Sequence, residues 1–264
     1  MSAVILIVFS FVAIFADSIT PYDPNATNTS YAAGRPQPPT TDYVLGTDNY
    51  GRDYLSRTMS GIRVSLVVGV TAVLFQLAIG VVFGTLAGYF GGWTDNLLMR
   101  ITDAFLAVPA FMLLLTVTGI LGGSLPALIF AIGALNWMTV ARLVRAQVLS
   151  LKQQEFVTAA RCLGASHWRI MTVYLLPNLV SSIIVAATLS VPGAILTESA
   201  LSFLGLGVPP PNASLGNMLS EAQQWVRSAW WIWIVPGVTI SMIVLAFNFL
   251  GDGLRDALDP RSRS

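Results

Sequence analysis

From Ala104 to Ala141 the chain carries no charged residue. A single helix of that length would run about 57 Å at ~1.5 Å per residue, nearly twice the roughly 30 Å hydrocarbon core of a bilayer. The stretch must therefore fold back on itself. Gly119, Gly122, Gly123, Ser124 and Pro126 supply the breakers for a hairpin, which predicts spans near 104–121 and 125–143. Composition agrees with a membrane setting: 55% of the 264 residues are hydrophobic and 10% charged, against about a quarter charged in soluble domains.

Extended along the chain, the same pattern gives an all-α polytopic membrane protein with about six transmembrane helices. Residues 1–16 are apolar and end at Asp17, somewhat short of the ~20 residues of a full crossing. They lack a basic flank, so they are taken as an uncleaved first span rather than a signal sequence. Its start lies either upstream or at the inner interface. Residues 17–63 form the largest polar region, where Pro21, Pro24, Pro36, Pro38 and Pro39 exclude a long helix and place it outside the membrane. Near its end Asp48 suits a turn cap and Gly51 a tight bend, and Arg52, Asp53 and Arg57 are spaced for ion pairs on a helix.

Residues 64–264 hold the remaining spans. The second runs from Val64 to about Gly88, with Gly80, Gly84 and Gly88 forming a row that lets another helix come close. Asp95, Arg100 and Asp103 mark a short polar turn. Span five runs from about Asn178 to Ala200, with Pro192 and Gly193 placed to break or bend it. Glu198 near its outer end is either a functional acid at membrane depth or a group facing outer water. From Ser214 an external amphipathic helix carries Leu215, Met218, Leu219, Ala222 and Val226 on one face. Trp225, Trp230, Trp231 and Trp233 form an interfacial belt before span six, which reaches about Leu250. Asn136 in span four and Asn248 in span six face either a polar pathway or a neighbouring helix.

Several function classes fall away. A single cysteine, Cys162, forms no internal disulfide, and with the single histidine, His167, it makes no metal-ligand cluster. A net charge of +1 leaves no nucleic-acid footprint. The sole lysine, Lys152, follows Leu151 rather than glycine, so no phosphate-cradling loop exists. The chain needs no cofactor of its own, and any ATP and Mg would be bound by a partner. An intramembrane enzyme would need a nucleophile–base pair within the spans, and a channel or secondary transporter would need ionisable residues along a mid-membrane path. Glu198, near an end, is the nearest approach to either.

Between spans four and five lies a charged insert at 146–176. Its pattern predicts a helix from Lys152 to Leu163, with Lys152 and Glu155 three apart and Phe156, Ala159, Ala160 and Leu163 on one face. Gly164 suits the left-handed residue after a helix end, Ser166 can cap the next helix, and Pro177 fits the first turn of span five. A small helix–glycine–helix knob between spans is a shape for docking into another protein's groove.

Ala159-Ala160, Gly164 and the later Leu176-Pro177 resemble the "EAA" coupling loop of permease subunits of binding-protein-dependent ABC importers. Thr158 stands where that motif has its Glu, and Glu155 lies three residues earlier. Three further stretches resemble the C-type permeases of oligopeptide, dipeptide and nickel importers: LGTDNYGRDYLSR at 45–57, LSFLGLGVPPPNASLGNML at 201–219, and LAFNFLGDGLRDALDPR at 245–261. The resemblance implies a type I ABC importer permease fold in a bacterial plasma (inner) membrane. It implies half of a translocation pathway for di- or oligopeptides, completed by a second permease subunit in a heterodimer. Two ATPase subunits or domains would bind at Glu155, Thr158, Ala159, Ala160, Gly164 and Pro177, and an extracellular binding protein would deliver the substrate. Nickel or another small solute is the alternative cargo, and an ATP-independent channel or secondary transporter the alternative mechanism.

With the coupling loop inside, six spans place both termini in the cytoplasm. The inner segments then hold Arg100, Arg142, Arg145, Lys152, Arg161, Arg169, Arg255, Arg261 and Arg263, and the outer ones Arg35, Arg52, Arg57, Arg63 and Arg227. That bias agrees with the positive-inside tendency.

Overall fold

The computed structural model describes residues 2–31 and 34–258, and its regular elements there are helices. Arg261 and Arg263 lie outside the described residues. The first span is α1 (Ser2–Ile19) and the second α2 (Tyr54–Phe90). The third is a bent pair, α3 (Gly92–Leu106) and α4 (Ala110–Leu121), whose axes turn by 83° at the break. The fourth joins α5 (Leu125–Ala134) to α6 (Trp137–Leu151). After α7 (Glu155–Cys162) the fifth starts as a helical turn, α8 (His167–Arg169), passes through a π-helical segment at Ile170–Leu175, and continues as α9 (Leu176–Phe203). α10 (Leu215–Ala222) precedes the last span, α11 (Trp231–Leu258). Among the described residues five helices are long and apolar enough to cross a membrane, and six spans result when the bent pair counts as one. The bundle thus has an elbow end, at α7 and α8, and a cap end, at residues 20–53 and α10.

α2 is the central post. At 37 residues it is far longer than a crossing needs, so it reaches from the cap to the elbow. Its Val68, Ala72, Val73 and Leu77 join Leu128 and Ile132 of α5 and Ile195 of α9 in one core. The glycine row packs against α6. A Cβ on Gly80 would lie 2.7 Å from Val140, one on Gly84 2.5 Å from the Ala141 carbonyl oxygen, and one on Gly88 2.8 Å from Val148. Lipid tails are as apolar as leucine, so helix association in a bilayer relies on such close van der Waals approach.

The structure differs from the sequence pattern at several points, each for a local reason. The polar run at Asp95, Arg100 and Asp103 is helix α3, not a turn. Its acids meet cations on α6: Asp95 accepts both Nε and Nη2 of Arg145 at 2.5 and 2.7 Å, and Asp103 accepts Arg142 Nη2 at 2.6 Å. The expected straight span over 104–121 is instead broken at Ala107–Pro109, because proline disfavours helix at the residue before it. α9 runs unbroken through Pro192. There it is pressed onto α2, where a Cβ on Gly69 would lie 2.7 Å from Ile195. The amphipathic helix near Ser214 forms, with a capping box between Ser214 and Asn217 and with Leu215, Met218 and Ala222 buried, but it ends before Val226, which is 48% exposed. Of the tryptophans, Trp230 and Trp233 are exposed and Trp231 is buried in the cap.

Replacing Gly84 with leucine should force α2 from α6 and lower stability by roughly 1–3 kcal/mol. Gly119→Leu, where nothing lies within 4 Å of an added Cβ, should leave the thermal midpoint in detergent unchanged. Equal midpoints for the two variants would contradict the seam.

Candidate functional site

The elbow is built from short-range signals. α7 ends on Leu163, and Gly164 follows at φ 79°, donating its N–H to Arg161 O while Ala165 N donates to Ala160 O at 3.0 Å. This is the double bond pattern of a glycine-terminated helix, which satisfies its last carbonyls. Ser166 then caps α8, its Oγ accepting from Arg169 N at 3.3 Å. α8 flows into α9 through π-type bonds, with Leu176 N donating to Met171 O. Pro177, which has no N–H, falls just after this segment, and Asn178 Nδ2 donates to the Tyr174 carbonyl at 2.7 Å.

Tertiary contacts brace this corner on the ends of α2 and α6. Lys152 Nζ donates to Gly88 O at 2.6 Å, a cation on the carbonyl end of a helix. It does not pair with Glu155, and the helix expected from Lys152 begins only at Glu155. Tyr89 holds the other side: its hydroxyl bonds His167 Nδ1 at 2.8 Å, and the Arg161 guanidinium lies over its ring at 5.6 Å. Val157, Ala160, Ile170 and Met171 are buried beneath the corner. The outward face therefore comprises Phe156, Ala159 and Leu163, with Trp168 beside them; Leu163 is 87% exposed. Ala160 does not share that face, because the helix turns it inward. Glu155 and Thr158 are exposed. The sequence pattern missed Tyr89 and Val157. Tyr89 was detectable as an aromatic residue closing a glycine-rich span.

Two cavities follow α9. The larger, 510 Å³, lies toward the elbow and is lined by Gln147 of α6, Ser181, Ser182 and Leu189 of α9, and Arg255 of α11, among others. The smaller, 250 Å³, lies farther toward the cap and includes Gln76, Asn136, Thr139, Leu189, Ser190 and Thr197. Leu189 belongs to both, so the two are consecutive along one helix face. Asn136 thus sits on a polar cavity while its Nδ2 also donates to Ile132 O at 2.7 Å, meeting a carbonyl exposed by the α5–α6 break. Asn248 is half-buried and lines neither cavity. Gln76, an amide inside an apolar span, was a signal the sequence offered.

Glu198 does not face outer water. It is fully buried, and accepts hydrogen bonds from Ser202 Oγ at 2.7 Å, Ser65 Oγ at 2.9 Å and Ser199 Oγ at 3.4 Å. It ties α9 to α2 and borders neither cavity. Above it the cap closes on an ion network. Asp48 accepts from the backbone of Tyr50 and Arg52 as a turn cap, and meets Arg52 Nε at 2.5 Å and Arg57 Nε at 3.4 Å. Glu221 of α10 contacts both arginines at 3.3 and 3.7 Å. Asp53 is not an ion-pair partner of Arg57: it caps α2 through Ser56 N at 2.8 Å.

A helical bundle with a braced elbow and a polar lane along one span fits a membrane transport subunit. The chain belongs to the family described as binding-protein-dependent transport system inner membrane component, whose model matches residues 80–264. The model for the N-terminal transmembrane domain of oligopeptide transport permease C matches residues 1–39. Its relatives include the dipeptide transport system permease protein DppC of Alkalihalophilus pseudofirmus, 43% identical over 99% of this chain and 85% of that protein. The oligopeptide transport system permease protein OppC of Bacillus subtilis is 42% identical over 98% of this chain and 84% of its own length. Among solved structures, an inward-facing MetNI methionine ABC transporter chain matches 77% of this chain and 96% of its own, with a TM-score of 0.63 and 20% identity. An amino acid ABC transporter solved with histidines matches 78% and 95%, with a TM-score of 0.59 and 17% identity. The fold is that of type I importer permeases.

Asp48→Ala would leave two buried guanidiniums without their shared carboxylate, a loss of about 3–5 kcal/mol for a broken buried pair. Glu221→Gln, on a side chain 31% exposed, should cost clearly less. Thermal unfolding in detergent orders the two, and the reverse order would contradict the network.

Proposed function

We propose that this chain is one of the two permease halves of an ATP-driven importer of di- or oligopeptides in a bacterial inner membrane. Its elbow docks on a separate ATPase and both termini face the cytoplasm. The observation that carries the reading is the elbow: an apolar face of Phe156, Ala159 and Leu163 exposed outward from a corner rigidly fixed to α2 and α6. An exposed apolar helix face joined to a stiff frame suits insertion into a groove on a moving partner. The peptide cargo follows from the likeness to DppC and OppC, and the orientation from the basic residues at the elbow end.

In this reading a second permease completes the pathway, and two ATPase subunits hold ATP and Mg. A binding protein approaches the cap. Closure of the ATPases displaces the elbows, and α9, continuous with α8 through the π segment, carries the displacement into the spans. The two access states are a population shift driven by differential binding, with no reactive group on this chain. Thr158 and Glu155 at the rim and Ala159 within the exposed face make contacts to the ATPase, Ala160 packs the corner from within, and Gly164 and Pro177 shape it. Asn136 lines the pathway. Glu198 and Asn248, outside both cavities, support it from behind.

The exposed Cys162 supplies a direct test. A membrane-impermeant maleimide should label it in inside-out vesicles and not in right-side-out cells, and addition of the ATPase should protect it. Labelling from the outer face would refute the orientation, and unprotected labelling would refute the docking. Gly164→Leu would place a side chain at positive φ, a penalty of roughly 1–2 kcal/mol, about a tenfold bias against the docked corner. Peptide uptake per ATP hydrolysed should fall accordingly with the chain still inserted. Uptake by the native complex driven by an ion gradient without ATP would favour a secondary transporter instead.

A further inference from the structure

The 250 Å³ cavity has a one-sided chemistry. Gln76 and Asn136 lie near the middle of their spans, on α2 and at the α5–α6 joint, and Ser190 and Thr197 face them from α9. Each of these four side chains has a donor engaged within the chain. Asn136 Nδ2 donates to Ile132 O at 2.7 Å, Ser190 Oγ to Ala186 O at 2.7 Å, and Thr197 Oγ1 to Gly193 O at 2.7 Å. Gln76 Nε2 donates to Ser190 Oγ at 3.4 Å. Serine and threonine hydroxyls have one proton each, so those two present only oxygen lone pairs to a ligand. Each amide keeps a carbonyl oxygen and one further N–H beyond the bond that it makes, so free lone pairs outnumber free protons around the cavity. Thr139, exposed at the margin, is the one hydroxyl here with no bond to the chain. Among the described residues no charged side chain lines this cavity, while Arg255 lines the adjoining 510 Å³ cavity toward the elbow.

We propose that the cavity bounded by Gln76, Asn136, Ser190 and Thr197 is a subsite for N–H donors of the translocated molecule, above all a protonated amino terminus. Hydroxyl oxygens whose single proton is spent on the helix backbone can take the place of water around an ammonium. The cation at Arg255 lies on the elbow side, eight residues of α9 below Ser190 when measured at Ser182. That is roughly 12 Å at ~1.5 Å per residue, and about four extended residues at 3.3 Å each cover it. The lane thus offers acceptors first and a cation second, matching the two ends of a short zwitterionic peptide.

This inference rests on the importer reading above, and its test separates the two. The complete complex, with its partner permease, ATPases and binding protein, is reconstituted in vesicles, and ATP-dependent uptake of tetraalanine is measured beside ATP hydrolysis. ATP-dependent uptake by the native complex establishes the importer reading alone; its absence refutes that reading and the subsite with it. Thr197→Val keeps the shape and removes the acceptor. It should lower uptake per ATP by about tenfold, the worth of roughly one hydrogen bond to a charged group. Binding-protein affinity and basal hydrolysis should stay unchanged. Asn136→Asp should retain uptake and Asn136→Lys should abolish it, because only the second opposes an ammonium. Native-like uptake by Thr197→Val, or equal losses in the Asp and Lys variants, would overturn the subsite while leaving the importer intact. Where the Asn136 variants fail to assemble, Thr197→Val decides.

Discussion

The seam between α2 and α6 is closed backbone to backbone, and the geometry of the rest follows from it. Where Gly80, Gly84 and Gly88 face α6, any side chain would collide with Val140, the Ala141 carbonyl or Val148. In a bilayer no hydrophobic drive pulls apolar helices together, so contact at this range is what holds them. The seam also fixes where α2 ends. Gly88, last of the row, offers its carbonyl to Lys152, and Tyr89 beside it receives His167 and Arg161. The elbow is therefore mounted on the same two helices that form the tightest part of the bundle.

Force applied at the elbow has one continuous path into the membrane. α8, the π segment and α9 form a single rod with no loop between them. Ser181, Ser182, Ser190 and Thr197 lie along that rod on the side of the two cavities. The helix that continues from the elbow is thus also the one that lines the two cavities. At its far end Glu198 is held by serines of α2 and α9, so the rod is anchored near the cap. The cap itself is tied by arginines shielded from water, Arg57 being 1% exposed and Arg52 8% at their side chains. Removing one partner of such a network leaves a buried charge uncompensated, so Asp48, Arg52, Arg57 and Glu221 tie the loop before α2, α2 and α10 together.

Local signals were legible where a residue type permits few alternatives. Asp48 and Gly51 form the turn their types suggest, Ser166 and Ser214 cap the helices that follow them, and Gly164 adopts the left-handed conformation at the elbow. Partners distant in the chain were not legible. Arg57 was spaced to pair with Asp53, yet Asp53 was consumed as a helix cap and Arg57 found Glu221, far along the chain. Lys152 left Glu155 for a carbonyl on α2 because a helix C-terminus there had unsatisfied acceptors. Helical periodicity placed Ala160 beside Ala159, but could not say which of the two would be covered.

The sequence by itself determined a membrane bundle, its number of crossings, the place of the elbow and the row on α2 along which another helix would pack. Those are consequences of charge-free length, of glycine's missing side chain and of capping chemistry, all of which act over a few residues. Only the tertiary structure decided that α3 is a helix, that Glu198 is sealed among hydroxyls, and that Gln76, Asn136, Ser190 and Thr197 meet around one cavity. The physical reason is that a polar group inside a membrane protein is satisfied by whichever neighbour the packing brings within about 3 Å, and that neighbour is chosen by helices meeting across the bundle.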